Sequence, residues 1–90
     1  MLVPCRVSTG LRDQEVIVEV TDFSGQTESM PLDSDFVVYQ KEKPFLPVRV
    51  LHRNEEKRAA LIALPVESDS GAHRIWVPLE GTRKTEETPA

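Results

Sequence analysis

Between Val66 and Trp76 the chain reads "VESDSGAHRIW", which gathers Glu67, Asp69, Ser68, Ser70, His73 and the only tryptophan. Residues of these types can do three kinds of chemistry. A serine hydrolase needs its nucleophile on a tight G-x-S-x-G elbow, with a base brought from elsewhere in the fold. Here the order is Asp69-Ser70-Gly71, with a single glycine. Adjacent strand residues also point to opposite faces, so neighbours in sequence rarely converge on one substrate. A metal centre would use Glu67, Asp69 and His73, but the diagnostic C-x-x-C or H-E-x-x-H spacing is absent. The third reading is a turn, in which Asp69 and Ser70 cap the loop and Gly71 takes the unusual backbone angles. The turn is the reading the residues favour. The expectation is a non-enzymatic chain with no metal and no cofactor.

The segment that follows, "HRIWVPL", alternates. His73, Ile75, Val77 and Leu79 fall on one face, which should be the core, and Arg74, Trp76 and Pro78 fall on the other. An arginine beside a tryptophan is enriched at interaction hot spots and is suited to cation–π contact. Pro78 lacks an amide donor, which suggests an edge strand where another chain could dock. Arg74 and Trp76, helped by Arg49, are the candidate interaction surface.

Glycine-rich phosphate loops of the G-x-G-x-x-G or G-x-x-x-x-G-K-[ST] kind do not occur. "DFSGQT" is similar in part to the [DN]-x-S-x-x-G segment of PilZ domains, small β-barrels that bind a cyclic dinucleotide. Asp22 and Ser24 match it, whereas Thr27 stands where the last glycine belongs. Arg6 and Arg12 are six apart, not the four of that family's arginine pair. The similarity spans six residues and assigns no membership.

The elements that must position these residues are short. Four glycines and seven prolines cut the chain at intervals that suit an all-β domain. "EVIVEV" alternates as a half-buried strand, "TDFSGQ" reads as a hairpin loop, and "QTESM" as a polar return strand near an edge. "FVVYQ" is a further strand, closed by "KEKP". "FLPVRVLH" and "RAALIALPV" should form the centre. A loop at residues 53–57 would set His52 opposite Arg58, Val50 opposite Ala60 and Arg49 opposite Leu61. A rival reading makes residues 54–64 a short helix capped by Asn54, with Glu55 and Glu56 in its first turn. The expected fold is therefore a single all-β domain over residues 1–80, a small SH3-like barrel or a sandwich of about five to seven short antiparallel strands. The alternative is α+β with that helix. The tail, residues 81–90, should be disordered.

Composition sets further bounds. A chain of 90 residues makes one domain with a thin core. No apolar run approaches the roughly 18 residues of a membrane span. Pro4 and Arg6 come too early for a signal peptide, and the lone Cys5 fits a reducing compartment, so a cytoplasmic location is expected. Charge is unevenly spread: residues 12–35 hold seven acids and one base, residues 41–58 six bases and three acids. A net charge of −4 disfavours general nucleic-acid binding. The local basic hairpin, Arg49, Arg53, Lys57 and Arg58, keeps open an alternative function in binding single strands or nucleotides beside an aromatic platform. A protein partner leads that alternative, no small-molecule substrate is evident, and a homodimer is compatible with the thin core and edge strand.

Overall fold

The computed structural model describes residues 1–84. Nine short strands follow one another: β1 (Leu2–Pro4), β2 (Arg6–Thr9), β3 (Glu15–Thr21), β4 (Thr27–Asp33), β5 (Val38–Gln40), β6 (Lys43–Pro47), β7 (Arg49–Asn54), β8 (Ala59–Ala63) and β9 (Arg74–Pro78). A 3-10 turn at Ser34–Phe36 separates β4 from β5. The strands form three antiparallel sheets, ordered β1-β6-β5, β2-β3-β4 and β7-β8-β9. The fold is all-β, as the alternation implies, with more and shorter strands than the sequence suggests. Among the described residues no closed barrel forms, and the three sheets are consistent with a small sandwich. Its least dimension is 20 Å, against 41 and 35 Å for the others, which suits two layers about 10 Å apart.

All three sheets share one core. Val18 and Val20 of β3, Met30 and Leu32 of β4, Leu46 of β6, Ala60 and Ile62 of β8, and Ile75 and Val77 of β9 are buried together. Pairing of β8 with both β7 and β9, with period-2 burial over residues 60–63, overturns the helical alternative for 54–64. Ala60 and Ile62 point inward while Leu61 and Ala63 remain partly exposed, a pattern a helix cannot give.

"FLPVRVLH" is two strands rather than one. Pro47 ends β6, and Val48 exchanges backbone hydrogen bonds with Met1, at 2.9 and 3.2 Å, before the chain enters another sheet as β7. The hairpin of β7 and β8 also differs from expectation. Its loop is residues 55–58, with Asn54 opposite Ala59 and His52 opposite Leu61. A bulge at Leu51 then sets Val50 opposite Ile62 and Arg49 opposite Ala63. Val50 and Arg49 keep their expected faces, because their partners move by two positions. His52 does not: the extra residue turns it from the core face to the outer face.

The turn between β5 and β6 holds two residues with positive φ, Lys41 at 51° and Glu42 at 67°. That is the primed geometry favoured in two-residue hairpins, here without the asparagine or glycine that usually marks it. The described part of the tail belongs to the fold, since Arg83 and Leu2 exchange backbone hydrogen bonds of 2.7 and 2.9 Å. Residues 85–90 of the expected disordered tail lie outside the described residues. Among the described residues no helix is long and apolar enough to cross a membrane.

Candidate functional site

The loop that follows β8 does not bring its reactive residues together. Ser68 and Ser70 both donate to one oxygen of Glu28, Oε1, at 2.7 and 2.5 Å. Asp69 accepts from the Ser29 amide at 3.1 Å and its own amide donates to the Ser29 carbonyl at 2.8 Å. His73 turns the other way and meets Glu67 at 3.2 Å on the surface. Neither serine has a histidine beside it, and no group of three metal-binding side chains forms among the described residues. Gly71 takes φ 89° as a turn requires. The loop is a latch: it straps β8 and β9 to β4.

Its anchor was hidden in the sequence. Glu28 is 3% exposed, on the same face of β4 as Met30 and Leu32 and opposite Val20. Counting by twos back from Leu32 would have placed it inward. Its partners, however, lie 40 and 42 residues away, so no local pattern could announce them.

The "DFSGQT" turn is explained by its own hydrogen bonds. Asp22 Oδ1 accepts from the Ser24 amide, the Ser24 hydroxyl and the Gln26 amide at 2.8–2.9 Å. Burial is the largest single influence on the Asp22 pKa and raises it, but the hydrogen bonds together outweigh it and hold the carboxyl below its usual range. The Asp-x-Ser pair is therefore needed by the turn itself.

The outer face of β7, β8 and β9 assembles the three residues singled out above. Across the sheet, Arg49 and Arg74 flank the small Ala63, with backbones about 10 Å apart at two strand spacings. One row along, His52 and Trp76 flank Leu61. Their rings meet edge to face, centroids 6.0 Å apart and planes at 88°, a favoured aromatic geometry. Trp76 is 38% exposed. Its ring partner is thus His52, not Arg74. The cation–π contact of the described residues lies elsewhere, with Arg83 over Phe45 at 5.2 Å.

As Pro78 suggests, β9 is an edge strand, but part of that edge is covered. The tip of the β3–β4 hairpin reaches it, and the Phe23 amide donates to the Trp76 carbonyl at 2.7 Å. A cleft of about 560 Å³ opens between this tip and the β7–β8 turn, with Phe23, Asn54, Lys57, Arg74 and Trp76 among its walls. The bases of the β7–β8 hairpin do not form one surface. Arg49 lies on the outer face, Lys57 lines this cleft, and Arg53 and Arg58 line a different one. Sequence reasoning missed His52, which only the bulge exposes, and Phe23, which a hairpin of seven-residue strands carries to the site.

No family model, no curated protein and no solved structure matches this chain. What the surface does must therefore be argued from its own chemistry.

Proposed function

We propose that this chain is a non-enzymatic interaction module that contacts another protein through the outer face of β7–β9. The observation that carries this reading is the register that sets Arg49 and Arg74 on either side of Ala63, one row from the exposed Trp76. Neither arginine has a carboxylate partner among the described residues. Their charge is thus available to an acidic segment, while Trp76 supplies the apolar anchor that hot spots require. A partner carrying an aspartate or glutamate pair next to a large apolar residue matches both.

The test is a panel of acidic and neutral peptides containing one leucine or phenylalanine, followed by Trp76 emission. Acidic members should bind, and Arg49→Glu with Arg74→Glu should abolish the response. Trp76→Ala should weaken binding about 30-fold or more when followed by calorimetry, as truncating a hot spot does. Equal binding by the Trp76→Ala chain would sink the reading.

A second reading has one observation in its favour. Phe23 and Trp76 share a cleft with Lys57 and Arg74, the rings and cations that a nucleotide or single strand would use. Titration with oligothymidylate at low salt separates the two, because charge-driven binding is strongest there. No shift in Trp76 emission under those conditions would dismiss it.

A further inference from the structure

On the other side of the β7–β8 hairpin lies a second cleft, of about 510 Å³, that the proposed interaction face does not use. Among the described residues four basic side chains line it, Arg53, Arg58, Arg83 and Lys84, against the one carboxylate of Glu55. In a chain of net charge −4 this is a concentration of the minority sign. Three separate stretches deliver it, and backbone hydrogen bonds tie them together. The Arg58 amide donates to the Glu55 carbonyl at 3.2 Å, and the Leu79 amide to the Arg58 carbonyl at 2.8 Å. Beyond Leu79, Thr82 caps its carbonyl with both amide and hydroxyl, at 3.1 and 2.6 Å, and Arg83 pairs with Leu2.

Among the described residues, carboxylates compensate only part of this charge. Glu55 binds Arg53 through Nε at 2.9 Å, which leaves the two terminal nitrogens of that guanidinium. Arg83 lies over the Phe45 ring, so its orientation is set without any carboxylate. Neither Arg58 nor Arg83 pairs with an acid among the described residues. Arg58 moreover occupies φ 54°, where glycine would sit without steric cost.

We infer that this cleft binds a small, multiply charged phosphate compound through Arg53, Arg58 and Arg83. Several guanidinium groups facing one space match the planar, bidentate recognition of phosphate oxygens better than that of isolated carboxylates. Among the described residues the walls contain no aromatic ring to stack a base, so the phosphates are the recognised part. Inorganic pyrophosphate and the diphosphate of a nucleotide carry that same chemistry.

The experiment is a titration of the full chain at about 50 mM salt, where charge interactions are little screened. The probes are inorganic pyrophosphate, a nucleoside diphosphate and citrate, read by amide chemical shifts and calorimetry. Pyrophosphate should move the amides of Arg53, Arg58 and Arg83, and citrate should bind at least tenfold more weakly. Affinity for the nucleoside diphosphate equal to or below that for pyrophosphate would show that the phosphates suffice and support the site; tighter nucleotide binding would show that the base is recognised and overturn it. Arg58→Gly should weaken pyrophosphate about tenfold or more, the usual effect of losing one charged hydrogen-bond donor. Its melting temperature should stay level or rise, which separates binding from folding. Trp76→Ala should leave pyrophosphate binding unchanged, so this site stands or falls apart from the outer face. No shift with pyrophosphate, citrate bound as tightly, or binding seen only with an oligonucleotide would each overturn the assignment.

Discussion

The latch loop and the outer face of β7–β9 are continuous in sequence at His73 and Arg74, yet they handle polar groups in opposite ways. The latch satisfies the buried Glu28 carboxylate of β4 with two hydroxyls, the buried one of Ser68 and the more exposed one of Ser70. The outer face turns two guanidinium groups and an indole outward and leaves the guanidinium groups without acids among the described residues. Interior polar groups that are fully bonded contribute to holding one structure, and their loss is costly because a partner is stranded. Exposed charges contribute little to folding and keep their capacity for a partner. The difference separates groups that hold the fold from groups left available to the partner proposed above.

The sharpest way to break that assignment is Ser68→Ala. It strips a donor from a buried carboxylate and should cost about 1–3 kcal/mol. At roughly 4–8 °C per kcal/mol for a domain of this size, the melting temperature should drop clearly. An unchanged melt would show that the latch holds nothing.

The half-buried Cys5 tests the interior from another side. Burial pushes its thiol from 9.0 up to about 11. Below pH 9 both folded and unfolded chains keep the proton, so the contribution is intact. Between pH 9 and 11 only the unfolded chain ionises, and stability is lost across that window. Urea unfolding of wild type and Cys5→Ala at pH 8 and 10.5 should show a smaller decline for the variant. Equal declines would place Cys5 outside the protected interior.

A change in the turn between β5 and β6 belongs to neither region and calibrates both. Replacing Lys41-Glu42 by Asn-Gly should stabilise the chain by about 0.5–1 kcal/mol, since both positions sit at positive φ. A loss of stability in denaturant titration would mean the present side chains hold the turn. Smallest of all should be Arg49→Ser and Arg74→Ser, each within about 0.5 kcal/mol of wild type. A larger loss in the same titration would move the outer face from recognition to structure.

How much of this was legible depends on how local each signal is. The alternation of Val16, Val18 and Val20, and of Ile75 and Val77, named core faces correctly because period-2 burial is written within a few residues. The "DFSGQ" hairpin was equally visible, since Asp22 and Gly25 are the residues its geometry demands. The primed turn was not, because Lys41 and Glu42 carry none of the usual marks. The bulge at Leu51 was also silent, and it alone exposes His52. Arg49, Arg74 and Trp76 were found as residues, but their assembly across three strands depends on that register. Glu28 was read as part of a polar edge strand, as its serine partners come from a distant loop.

The bridge between Leu2 and Arg83 joins positions at opposite ends of the described chain. Forming it requires closing nearly the whole chain, whose entropic cost grows with loop length, and such non-local pairing slows folding. A circular permutant that links these neighbouring ends and opens at the exposed Gly25 turn would make that bridge a local contact. It should keep the same sheets and fold faster than the natural order of the chain allows.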